Sequence, residues 1–102
     1  MVGVEKNIRL NKMTTYKEKY NIKYKNPKNK SNTLKEISKN TGYNLSGLKT
    51  IYNKGKGAYY TNRRSVKPWI KSPQEWGYAR VYSSISKGSK SYKIDKSHLK
   101  KI

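Results

Sequence analysis

The chain has 102 residues, of which 25 are Lys or Arg and five are Asp or Glu, giving a formal net charge of +20; only 32% are hydrophobic. This length holds one small domain and a tail and excludes a two-domain enzyme, while the absence of Cys excludes disulfides and thiolate metal sites. No apolar run is long enough to span a bilayer, and the opening MVGVEKNIRLNKM lacks the apolar stretch of a secretory signal, so a non-secreted protein is expected.

Residues 1–32 read as a basic N-terminal arm, partly disordered. Its second half, NIKYKNPKNKSN, carries Pro27 and no apolar period and reads as extended. The alternation of Tyr20, Ile22 and Tyr24 with polar residues permits a short strand. Residues 33–102 read as a helical domain. Thr33 followed by Glu36 is a capping box, Leu34 and Ile37 supply a buried stripe, and Gly42 ends the first helix in a left-handed turn. Asn44 caps a second helix, on which Leu45, Leu48, Ile51 and Tyr52 fall on one side and Ser46, Lys49, Thr50 and Asn53 on the other.

Gly55 is expected to close that helix, with Gly55 to Gly57 forming a flexible basic turn. The loop that follows, AYYTNRRSVKPW, together with Lys54 and Lys56, interleaves Arg63, Arg64 and Lys67 with Tyr59, Tyr60 and Trp69, a mixture suited to a passing phosphate backbone and to ring stacking. Ser72, Pro73 and Glu75 start a third helix expected to run to about Ser86, with Tyr78, Val81, Tyr82 and Ile85 on its core stripe. Arg80 lies on the opposite side, where it is open to two roles: a phosphate contact, or stacking on Trp69 or Trp76. Beyond Gly88, Asp95 is placed to cap a last turn. Lys87, Lys90, Lys93 and Lys96 recur every three residues, as a cationic rail or as solvated surface.

The fold expected is all-α, a small three-to-four-helix domain with a central helix-turn-helix and a basic flexible arm. The charge is spread over both parts, +7 in residues 1–32 and +13 in residues 33–102. Self-repulsion of this size disfavours a compact free state and favours one neutralised by a polyanion. Lys outnumbers Arg by 21 to four. Ammonium groups meet phosphates as point charges more than they meet bases as forks, so sequence-tolerant binding is favoured.

The segment TLKEISKNTGYNLSGLKTIYN, residues 33–53, is similar without a gap to the helix-turn-helix of repressors of the lactose-repressor type. Thr33 and Leu34 match its start, Ile37 the buried aliphatic, Ser38 the small residue of the crossing and Gly42 the turn. Tyr43, Leu48 and Ile51 match the apolar positions and Asn53 the helix-end asparagine. The resemblance implies base contacts from Leu45, Ser46 and Thr50. Two departures set limits on it. Gly47 inside the second helix costs about 1 kcal/mol relative to Ala, and Leu45, Ser46 and Thr50 lack the forked donors and acceptors of strong base readers. Over residues 33–99 the chain also resembles a small uncharacterised domain family of large DNA viruses and some tailed phages. The residues behind this are KEISKNTGYNLSGLKTIYNKGKGAYYTN, SVKPWIKSPQEWGYARVYSSI and SYKIDKSHL. That resemblance implies a viral source, located in the virion or at the host-cell site of replication, and it carries no activity.

Catalytic parts are few. His98 is the only histidine, and with Asp95 it makes two ligands where a zinc site needs three or four. Glu36, Glu75 and Asp95 are better placed as caps than as acid or base groups, and GKG lacks P-loop spacing. The expectation is a nucleic-acid-binding protein without cofactor, metal or catalytic residues, in a packaging or architectural role of low selectivity on double-stranded DNA. The candidate contacts are Leu45, Ser46, Lys49, Thr50, Asn53, Lys54, Lys56, Tyr59, Tyr60, Arg63, Arg64, Lys67 and Arg80. The alternatives are a helix-turn-helix transcription regulator, an internal or minor virion protein that binds acidic protein surfaces, and RNA binding through the Tyr-rich loop.

Overall fold

A computed structural model describes residues 15–62, 64, 66, 68 and 70–101. The chain divides into two compact units, Met1–Lys30 and Ser31–Ile102. Among the described residues the protein is all-α, with five α-helices. The one β feature among these residues is an isolated antiparallel bridge between Tyr43 and Lys101.

In the first unit, helix α1 spans Tyr16–Lys23. Thr15 Oγ1 accepts from the Glu18 amide at 3.1 Å, and Glu18 Oε1 accepts from the Thr15 amide at 2.9 Å, which closes a capping box. This amide hydrogen bond is the main reason the Glu18 carboxyl titrates below its usual range. After the helix, Lys25 takes a left-handed φ of 58° and the buried Asn21 side chain ties the chain back, its Nδ2 donating to the carbonyls of Lys28 at 2.9 Å and Lys30 at 3.0 Å. Where an extended arm or short strand was expected, these residues form a helix and a hydrogen-bonded turn. The box at Thr15 satisfies amides that a three-residue alternation cannot, and one Asn amide replaces water at two carbonyls. The MVGVEKNIRLNKM part of the expected arm lies outside the described residues.

The second unit holds α2 (Leu34–Thr41), α3 (Leu45–Thr61), α4 (Pro73–Ser84) and α5 (Lys90–Asp95), followed by a 3-10 turn at Lys96–His98. The expected starts are found: the Thr33–Glu36 box, Asn44 accepting from the Ser46 amide, and Ser72 accepting from the Glu75 amide with Pro73 in the first turn. Glu75 itself reaches back to the Lys71 amide at 2.9 Å. Gly42 takes φ 79° and its amide closes onto the Ser38 carbonyl, turning the chain from α2 into α3, while Ser38 Oγ donates to the Tyr43 carbonyl at 2.6 Å.

Ile37, Tyr43, Leu48, Ile51, Val81 and Tyr82 form the core of this unit. Tyrosine supplies the aromatic part. Tyr52 and Tyr78 rings lie 4.9 Å apart, and the Tyr82 hydroxyl accepts from Asn32 Nδ2 at 3.1 Å, so a buried ring keeps a polar partner. Burial raises the titration of both Tyr78 and Tyr82.

Gly55 does not close α3. The helix runs through Gly55 and Gly57 to Thr61, so the expected flexible turn is helical, and Lys56, Tyr59 and Tyr60 belong to α3 rather than to a loop. A Cβ at Gly55 would stand 2.7 Å from the Gly77 Cα, and one at Gly77 would stand 2.7 Å from the Tyr52 ring. The two glycines therefore let α3 and α4 touch backbone to backbone, and this contact outweighs the poor helix propensity that made Gly55 look like a terminator. At the other end of α4 the helix stops at Ser84, two residues short of the expected Ser86.

Candidate nucleic-acid interface

Helix α3 buries Leu48, Ile51 and Gly55 and leaves Ser46, Lys49, Thr50 and Asn53 exposed. Leu45 and Lys56 are half-buried, and Tyr60 is 66% exposed beside half-buried Tyr59, their rings edge to face at 5.4 Å. The longer helix changes the place of Asn53. Expected at a helix end, its amide sits mid-helix on the exposed side, where Lys49, Asn53, Lys56 and Tyr60 make one stripe at spacings of three and four. The hydroxyls beside it are engaged within the chain: Ser46 Oγ donates to Asn44 Oδ1 at 2.9 Å and Thr50 Oγ1 to the Ser46 carbonyl at 3.1 Å. The outward donors of this face are thus the Lys49 ammonium and the Asn53 amide. The Lys56 ammonium stands 5.3 Å from the Tyr52 ring centroid.

Lys54 and Arg80 are engaged elsewhere. Asp95, fully buried, accepts from Lys54 Nζ at 2.6 Å, Arg80 Nε at 2.9 Å, Arg80 Nη2 at 3.1 Å and Ser84 Oγ at 2.7 Å. Burial acts to raise the Asp95 carboxyl, but the donors from Arg80, Lys54 and Ser84 outweigh it and hold the group well below the usual carboxylate range. Asp95 is therefore an anchor joining α3, α4 and α5. It is not the expected cap, and it makes no side-chain cap hydrogen bond to the 3-10 turn that follows it.

The chain after Asp95 lies along α3. A Cβ on Gly47 would overlap the His98 carbonyl, so this residue, costly for the helix by itself, is what lets the C-terminal segment cross. Further on, the Asn44 amide donates to the Lys100 carbonyl at 2.7 Å. Lys101 Nζ donates to the Thr41 carbonyl at 2.6 Å and stands 4.3 Å from the Tyr43 ring centroid. Sequence reasoning missed both the anchor and the strap. One signal was present, since Asp95 is the only acidic residue after Glu75.

Of the remaining expected contacts, Arg64 is exposed, and Arg63 and Lys67 lie outside the described residues, as does Trp69. Among the described residues no three His, Cys, Asp or Glu side chains are grouped to hold a metal, and no helix is long and apolar enough to cross a membrane. No curated protein and no solved structure matches the chain. A family model does match, over residues 4–100, and the chain belongs to that family, a family of unknown function designated DUF5824.

Proposed function

We propose that this protein binds nucleic acid, using α2, the Gly42 turn and α3 as a helix-turn-helix that lays α3 on duplex DNA with little sequence selectivity. The observation that carries the reading is the stripe of exposed Lys49, Asn53 and Tyr60 with half-buried Lys56 along α3, in a chain of net charge +20. Lysine, and the Ser46 and Thr50 hydroxyls already donating within the chain, favour backbone contact over base reading. Packaging or architecture follows from that balance, and the resemblance over residues 33–99 supports a role in a viral nucleoprotein. Asn53, whose amide is suited to an adenine edge, supports transcription regulation as a second reading.

The test is a titration of the full chain against random duplex, single strands and RNA of equal length over a range of salt. With about five phosphates neutralised, the log–log slope on duplex is about −4.5. A slope near zero would overturn nucleic-acid binding and leave acidic protein surfaces as the partner. Tighter binding to single strands or RNA would move the partner to those.

A further inference from the structure

We propose that the C-terminal segment forms a second, phosphate-contacting row beside α3, with Lys96 and Lys100 as its cations. This rests on the duplex-binding reading above and extends its interface beyond the helix pair. Three contacts fix the path of the segment. Asp95 meets Lys54, the His98 carbonyl abuts Gly47, and the Lys100 carbonyl takes the Asn44 amide. As the segment advances, its partners recede along α3, so it runs antiparallel to the helix over residues 44–54, about 15 Å at 1.5 Å per residue.

Its place is the flank of α3. Gly47 and Lys54 border the exposed face made by Ser46, Thr50 and Asn53, whereas α4 packs at Gly55 on the other side of the helix. A helix with its side chains is about 10–12 Å across, and the major groove is about 12 Å wide. With α3 in the groove there is no room for a second segment, and one strapped to its flank comes to the rim, where the phosphates are. Lys96 and Lys100 are exposed there, and their backbone carbonyls serve the fold, Lys96 accepting from the Leu99 amide and Lys100 from that of Asn44. Lys54 and Lys101, their neighbours in the same stretch, direct their ammonium groups to Asp95 and to Thr41. The division of labour is thus by residue: Lys54 and Lys101 hold the strap, and Lys96 and Lys100 face the rim.

The experiment compares three forms of the full chain on a random-sequence duplex: wild type, Lys96→Gln with Lys100→Gln, and Lys71→Gln with Lys87→Gln. The last pair makes the same charge change at exposed sites flanking α4, outside α3 and the segment after Asp95. Loss of two phosphate contacts lowers the salt slope by about 1.8 and affinity at 0.1 M salt by roughly 60-fold. The expected result is that loss for the 96/100 pair, a wild-type slope for the 71/87 pair, and wild-type melting for both. An unchanged slope for the 96/100 pair, with steep wild-type binding, overturns the second row and leaves duplex binding standing. Equal losses for the two pairs would show diffuse charge attraction and also overturn it. A flat wild-type slope removes both proposals.

Discussion

Replacing Asp95 with Asn tests the anchor most directly. The carboxylate is fully buried and four hydrogen bonds from three side chains converge on it. Removing one partner of a fully buried ion pair costs about 3–5 kcal/mol. Here that figure is an upper bound, because the Lys54 and Arg80 side chains keep 38% and 24% exposure and can turn to water once the charge is gone. Asparagine retains one acceptor but points an amide donor at other donors. The expected loss is about 2–3 kcal/mol, and at about 4–8 °C per kcal/mol for a unit of this size the melting temperature falls by about 8–24 °C. Thermal melts followed by far-UV circular dichroism at neutral pH measure it. The pH dependence adds an independent check. The folded-state pKa of Asp95 lies below the ordinary 3.8, so its stabilisation is fully present above that pH and is lost as acid carries the pH below it. The gap between wild type and Asp95→Asn therefore closes below about pH 4. A fall of less than about 4 °C at neutral pH, under 1 kcal/mol, would refute the reasoning, as would a gap that persists unchanged into acid.

Three further outcomes are expected. Gly47→Ala improves helix propensity by about 1 kcal/mol yet lowers the melting temperature, because the new Cβ displaces the His98 backbone; a higher melting temperature would show that the strap does not lie against α3. Gly55→Ala destabilises by about 1–3 kcal/mol through the Gly77 contact, whereas Gly57→Ala, with open space around it, stabilises by up to about 1 kcal/mol, and urea titrations of the pair separate packing from propensity. Replacing Lys49 and Thr50 together with Glu reverses the charge of the exposed face and leaves buried Leu48 and Ile51 in place, so duplex affinity drops while the melt holds. Unchanged affinity with an unchanged melt would remove α3 from the interface.

What could be read from residues alone was whatever is decided within one turn of chain. The box at Thr33, the Ser72 cap, the left-handed Gly42 and the stripe of Leu48 and Ile51 depend on neighbours three or four positions away, and they appear as expected, although Glu75 takes the Lys71 amide and does not close the box at Ser72. The Thr15–Glu18 box has the same signature but stands in a stretch whose basic composition reads as an arm. Gly55 defeated local reading for a physical reason: a glycine that admits another backbone looks, in sequence, like one that breaks a helix, and Gly47, correctly placed inside the helix, gave no sign of the segment it admits. Asp95 was hidden in the same way, since its partner Lys54 lies 41 positions away. As for the candidate interface, Ser46, Lys49, Thr50 and Asn53 stand exposed together as the helical period requires, while Lys54 and Arg80 are drawn to a carboxylate that periodicity cannot locate.

Helix α5 has six residues, too few for a helix to persist in water by its own hydrogen bonds. It exists because Asp95 is held, so its amide protons exchange with solvent whenever that grip opens, and not by fraying from one end. The Asn44 amide, closed onto the Lys100 carbonyl at the start of α3, is exposed by the same event. Its protection is a single-proton gauge of whether the end of the chain is seated, and it should move in step with the Lys93 amide half a helix turn before the anchor, whose partner is the Ser89 carbonyl.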